Sequence, residues 1–156
     1  MGVSDYVVQC RGLERTYHDD GVPVHALAGV DFEVEQGDFV SLAGPSGSGK
    51  STLLNCVGGL DRPTSGEVWL EGTNVTHLSE GKWVDLRRHR IGFVFQSHAL
   101  LANYSAWENV DLMLRLAGVK RRQRQERTEE VLTLMGLAKW REHRTFELSG
   151  GQQQRV

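Results

Sequence analysis

The chain has 156 residues, enough for one domain with a real core. Lys and Arg number 18 against 20 Asp and Glu, a net charge of -2, so no global basic field points to nucleic acid as a partner. Cys10 and Cys56 stand far apart in no metal or redox spacing; the expectation is two buried free thiols in a reducing compartment.

Tyr6–Arg11 reads as a strand that Arg15–His18 continues or ends, and Asp19-Asp20-Gly21-Val22-Pro23 is turn chemistry. Val24–Val34 alternates apolar and polar residues toward its end, as a half-exposed strand does. These two predict a small antiparallel sheet. Glu35-Gln36-Gly37-Asp38 is a tight turn into Phe39-Val40-Ser41-Leu42-Ala43, an apolar run that predicts a buried core strand. A helix through Thr52–Val57 is stopped at Gly58-Gly59. Glu67–Leu70 predicts another strand, followed by a turn at Glu71-Gly72-Thr73-Asn74. Ser79 opens a short helix through Arg88, and Ile91-Gly92-Phe93-Val94-Phe95 predicts a second buried core strand ending at Gln96.

From Gln96 the pattern turns helical. Ser105-Ala106-Trp107-Glu108 has the form of a capping box, and the helix it opens runs to Gly118. Gln123–Met135 predicts a second helix ended by Gly136. The basic run Lys120–Arg127 reads as a solvated helix start neutralised by Glu126, Glu129 and Glu130. The organisation expected is therefore 1–95, a core with an antiparallel β-subdomain, and 96–156, a helical subdomain.

Between strand and helix lies Gly44-Pro45-Ser46-Gly47-Ser48-Gly49-Lys50-Ser51-Thr52, which fits G-x-x-x-x-G-K-[ST]. A phosphate chain must lie against backbone, and glycines keep side chains away while allowing positive φ. Successive N–H groups then form an anion nest, reinforced by the positive end of the helix dipole. Lys50 supplies a point charge to the outer phosphates, and the Ser51 hydroxyl is placed to ligate Mg²⁺. A second anion-binding design closes the chain at Leu148-Ser149-Gly150-Gly151-Gln152, where Ser149 caps a helix starting at two glycines with its N–H groups open.

With both motifs in hand, the chain resembles the nucleotide-binding subunit of an ABC transporter over nearly its whole length. The phosphate loop, a strand ending in Gln96 and the signature Leu148–Gln152 occur in the family's order. Gly58–Gly66 and Leu86–Gln96 are also similar to the family, and Gln96–Leu101 with Glu108-Asn109-Val110 point to the branch of lipoprotein-releasing, macrolide-export and cell-division subunits. Ala102 departs from the Pro of many relatives. The fold implied is a P-loop NTPase core, a parallel sheet with flanking helices, plus the antiparallel β-subdomain and an inserted helical subdomain.

The resemblance also implies roles. Tyr17 matches the aromatic that stacks on adenine. Lys50 and Gln96 match the catalytic lysine and glutamine, with Gln96 and Ser51 reaching Mg²⁺. Ser149, Gly150, Gly151 and Gln152 match the signature that closes over ATP held by the opposing copy. The implied assembly is a head-to-tail homodimer around two ATP molecules, docked on integral membrane permease subunits. The implied location is cytoplasmic and peripheral on the inner face of the membrane, in line with a Met1–Tyr6 stretch that lacks the pattern of a secretory leader. No nucleic acid is expected.

The family's apolar strand ending in Asp-Glu and its later switch His have no counterpart among these residues. The chain is therefore expected to be C-terminally truncated with an incomplete core, holding nucleotide weakly and not turning over ATP. Its function is expected to be ATP-driven export or lipoprotein release through a membrane partner. The alternatives are a non-catalytic nucleotide-binding remnant, or a soluble ABC-type ATPase unlinked to transport. The last is disfavoured because no sustained heptads separate Lys50 from Leu148.

Overall fold

Asp20 and Gly21, at φ 46° and 81°, turn the chain back on itself, as a two-residue hairpin with a matching right-handed twist requires. They join β1 (Tyr6–Asp19) to β2 (Val22–Glu35), each 14 residues long and antiparallel. The computed structural model describes residues 6–156, so residues 1–5, part of the stretch searched for a leader, lie outside it. A sheet is completed by β3 (Ser65–Leu70) and β4 (Thr73–Asn74), in the order β2-β1-β3-β4, all neighbours antiparallel. Thr73–Asn74, read from sequence as part of a turn, is a short strand; the turn itself is confined to Glu71 and Gly72, both at positive φ.

Helix α1 (Lys50–Val57) buries Leu53 and Cys56, and α2 (Glu80–His89) buries Trp83. With Cys10, Leu13, Leu27, Val68 and Val75 these are the buried apolar residues on the sheet side. A fully buried Leu such as Leu13 stabilises by about 2 kcal/mol. The helical part contains α3 (Ala106–Leu116), α4 (Arg121–Leu134) and α5 (Gly150–Arg155). Its core is Ala106, Leu132, Leu137 and Leu148, with Trp107, Val110 and Val156 packed against it.

The Ser105–Glu108 capping box forms as its sequence predicts, with Ser105 N donating to Glu108 Oε2 (2.8 Å) and Glu108 N to Ser105 Oγ (3.1 Å). The basic run is neutralised in part, and not by the expected set of acids, since Glu129 pairs instead with Arg141 (2.8 Å). Arg122 pairs with Glu126 (3.3 Å), Arg127 with Glu130 (2.6 Å) and Arg124 with Asp111 (2.9 Å).

Two expectations are corrected. Neither Phe39–Ala43 nor Ile91–Phe95 is in a strand, so the described residues form no parallel core sheet. A strand exists only through ladder bonds to a neighbour, and neither run has one here. The apolar side chains that would have been buried stay outside: Phe39 is 98% exposed and Val94 88%. Burial of such side chains would yield roughly 1.5–3 kcal/mol each, and Phe39 collects none of it. Phe93 and Phe95 instead stack on each other at 5.5 Å.

The chain divides into two compact units, one up to Arg87 and one from Arg88 to Val156. The sequence places the boundary at 95/96 on the expectation that Ile91–Phe95 belongs to a core sheet.

Candidate functional site: a phosphate cradle on the first unit

The run from Asp38 to Pro45 is irregular and delivers the chain to α1 through a loop with Gly44, Gly47 and Gly49 at φ 154°, 80° and 86°. Gly49 is the helix N-cap and is doubly required. Its backbone is left-handed, and a Cβ there would sit 2.4 Å from Ala26 O and 3.1 Å from Leu27 Cδ2 of β2. The close approach seats the start of α1 against the hairpin.

No side chain caps α1, and no acidic residue stands in its first turn. Its leading N–H groups and dipole are therefore available to an anion. Lys50 Nζ lies across the loop, donating to Gly44 O (2.9 Å), Pro45 O (2.7 Å) and Ser48 Oγ (3.2 Å). Ser48 N donates to Pro45 O (3.3 Å), closing the turn. Ser46 and Ser51 are exposed, and Thr52 is half-buried. A cradle of backbone and ammonium donors with no competing carboxylate suits a polyphosphate.

Mg²⁺ fits the same place only in company. Among the described residues no cluster of three or more His, Cys, Asp or Glu could hold a metal. Mg²⁺ commonly binds through one or two protein groups plus substrate phosphates. Ser51, exposed at the helix start, is the candidate for such a group.

Tyr17, near the end of β1, is half-buried and tightly held. Its hydroxyl donates to Asp61 Oδ2 at 2.5 Å, and the Arg15 guanidinium carbon lies 4.4 Å from the ring centroid. Arg15 pairs with both Asp61 oxygens, Nη2 to Oδ1 at 2.8 Å and Nε to Oδ2 at 3.1 Å. Burial pushes the Asp61 carboxyl up. The hydrogen bonds from Tyr17 and Arg62 N and the Arg15 charge outweigh it, so Asp61 titrates below the ordinary carboxylate value. Sequence reasoning assigns no site role to Asp61 or Arg15. The available signal is Arg15-Thr16-Tyr17, which puts Arg15 and Tyr17 on one face of a strand.

Cys10 and Cys56 are both buried free thiols, as expected. Burial raises the Cys10 thiol to about 11, helped by Cys56; burial raises Cys56 to about 11, helped by Asp61. Both stay protonated and unreactive at neutral pH.

Gln96, Ser149, Gly150, Gly151 and Gln152 belong to the second unit. Gln96 is exposed in an irregular segment, and the carbonyl of its neighbour Phe95 accepts from Gln154 Nε2 of α5 (3.3 Å). Ser149 caps α5 as its sequence predicts, but the turn is less open than expected. Ser149 Oγ accepts from Gln152 N (3.3 Å) while Gln152 Oε1 accepts from Ser149 N (2.8 Å), so the cap consumes one leading donor. Asn109, noticed in sequence only as a branch marker, is a buried pin. Its Oδ1 accepts from Leu101 N (2.8 Å) and its Nδ2 donates to Ser105 O (2.9 Å), fastening the 101–105 loop to α3.

A strand-hairpin sheet, a glycine-lined loop of open donors at a helix start and a self-capped Ser-Gly-Gly turn are the parts of a nucleotide-binding cassette. Residues 27–156 match the ABC transporter family model, and the chain belongs to that family. It is 51% identical over 150 residues to an uncharacterized ABC transporter ATP-binding protein of Thermotoga maritima, covering 96% of this chain and 64% of that protein. It is 46% identical over 154 residues to the lipoprotein-releasing system ATP-binding protein LolD 2 of Caulobacter vibrioides, covering 99% of this chain and 68% of that one. The structure is similar, at TM-score 0.88 and 39% identity, to the dimeric post-hydrolysis state of the ATP-binding cassette MJ0796 bound to ADP and Pi; 95% of this chain and 66% of that one are covered. The chain thus spans about two thirds of the length of the proteins it matches.

Proposed function

We propose that this chain is the nucleotide-holding part of an ATP-driven transport subunit, of the kind represented by the lipoprotein-releasing relatives. The observation that carries the reading is the uncapped start of α1 behind three positive-φ glycines, spanned by Lys50. In this reading Gly44–Thr52 wraps the triphosphate, Lys50 moves from the loop carbonyls to the outer phosphates, and Tyr17 stacks on the base. Mg²⁺ held by Ser51 and the phosphates would neutralise charge developing on the terminal phosphoryl group. Gln96 keeps, in this reading, the role that the family resemblance gives it toward the metal and the attacking water. Ser149–Gln152 closes on the nucleotide of a second copy in a head-to-tail dimer, a reading supported by the dimeric state of the MJ0796 cassette. The membrane partner is a permease subunit, as the naming of the relatives as transporter ATP-binding proteins supports. In this reading the chain works at the cytoplasmic face of the membrane. No helix among the described residues is long and apolar enough to cross a membrane.

Turnover is a separate matter from binding. Asp61, the first acid after the phosphate loop, is committed to Tyr17, Arg15 and Arg62 N and is no free base. We expect the chain to bind Mg·ATP through the Lys50 loop, with Asp61 taking no proton from water. Absence of ATP binding, or ATP binding unchanged by Lys50→Ala, contradicts that expectation.

A further inference from the structure

Two elements of the first unit meet at one aromatic ring. β1 carries Arg15 and Tyr17 on the same face. The loop that follows α1 brings Asp61, and that loop is fastened on both sides. Asp61 N donates to Asn55 O (3.2 Å) of α1, Thr64 N to Glu14 O (2.8 Å), and Thr16 N to Thr64 Oγ1 (2.9 Å). Asp61 is thus a fixed acceptor, and a single hydrogen bond to it decides where the Tyr17 hydroxyl points.

The Arg15 guanidinium decides which side of the ring is left. It lies over one face at 4.4 Å, held there by two contacts to Asp61 at 2.8 and 3.1 Å. A flat ligand has only the opposite face to stack on. Without the carboxylate, Arg15 loses its anchor and Tyr17 its hydrogen bond, and the ring regains rotamer freedom that a ligand must then freeze out.

We propose that Asp61, acting with Arg15, is a positioning residue that presents one face of Tyr17 to the nucleotide base. This rests on the reading of Tyr17 as the base-stacking residue. Asp61 touches no substrate. It acts from the C-terminal side of the helix whose N-terminus forms the phosphate cradle, so α1 links phosphate and base recognition through one rigid element.

The test compares ATP with inorganic tripolyphosphate, both titrated calorimetrically into the full chain. The second ligand uses the phosphate cradle and has no base. Tyr17→Ala is expected to weaken ATP roughly tenfold and leave tripolyphosphate unchanged, the worth of one base–aromatic stack. Asp61→Ala, which frees both Arg15 and the Tyr17 hydroxyl, is expected to weaken ATP about three- to fivefold, and Tyr17→Phe, which breaks only the hydroxyl's bond, about two- to threefold, again without effect on tripolyphosphate; the double variant is expected to be no weaker than Asp61→Ala alone, because Tyr17→Phe breaks a bond that Asp61→Ala already removes. If Tyr17→Ala leaves ATP binding intact, the stacking reading falls and the inference with it. If Tyr17→Ala weakens ATP but Asp61→Ala and Tyr17→Phe do not, the inference alone is overturned. It is also overturned if Asp61→Ala weakens both ligands equally, since that reports general loosening of the unit. Should Asp61→Ala fail to fold, Tyr17→Phe, which deletes only the hydroxyl, decides the matter in the same way.

Discussion

The two glycine-bearing helix starts, at Gly49 and at Ser149, look alike in sequence and differ in structure. At Gly49 the helix has no side-chain cap, and its backbone is forced left-handed against β2. At Ser149 a reciprocal box satisfies the turn from within. The first is a cradle that leaves donors for a ligand; the second is a self-sufficient turn that presents a small, glycine-smooth surface. A helix N-terminus is suited to phosphate by what is left unpaired, and a motif alone does not report that.

The sharpest way to break this contrast is glycine to alanine at each turn. Gly49→Ala must accept φ 86° and a Cβ 2.4 Å from Ala26 O. Left-handed strain and overpacking together cost about 3 kcal/mol. Thermal unfolding should drop by roughly 6–12 °C, with ATP binding lost as the helix start shifts off the hairpin.

The thiols sharpen the contrast next, because Cys10 and Cys56 both lie in the phosphate-loop unit and neither in the other. Their native pKa values of about 11 stand above the ordinary 9.0. Above pH 9 the unfolded chain releases these protons while the native one keeps them, so stability falls as pH rises from 9 toward 11 and is fully present below 9. Urea midpoints should decline across that window, and the Cys10→Ala/Cys56→Ala variant should decline less. Equal slopes would remove the thiols as the cause.

Ser149→Ala removes the hydroxyl half of the signature cap and should cost about 1 kcal/mol, read as a small loss in urea midpoint with tripolyphosphate affinity unchanged. Smallest of all is Gly150→Ala, where an added Cβ meets nothing within 4 Å. Stability should hold or rise by up to about 1 kcal/mol from helix propensity. A large destabilisation there would mean that the two turns are strained alike.

Local signals are legible in the sequence and long-range ones are not. The Ser105–Glu108 box, a turn within Asp19–Pro23 (narrowed to Asp20-Gly21, since Val22 and Pro23 open β2), the stop at Gly136 and the paired Arg122 and Arg127 are decided within a few residues. The phosphate loop is equally local, since its glycines and Lys50 build the cradle from one short stretch. Phe39–Ala43 and Ile91–Phe95 mislead because an apolar run is necessary but not sufficient for a strand; the ladder partner has to be present. Asp61 escapes notice for a related reason. Its meaning depends on β1, 44 positions earlier in the chain at Tyr17, and neither sequence neighbourhood names the other.

The central claim is that phosphate is first held by the Gly44–Thr52 cradle, the Ser149 turn closing on it only from a second copy. Calorimetric titration of tripolyphosphate into the wild-type chain, Lys50→Ala and Ser149→Ala tests it directly. The account predicts binding by wild type, a roughly hundredfold loss on Lys50→Ala, about 3 kcal/mol for charge-assisted bonds to phosphate, and no change on Ser149→Ala. Binding that survives Lys50→Ala, or that disappears with Ser149→Ala, would contradict it.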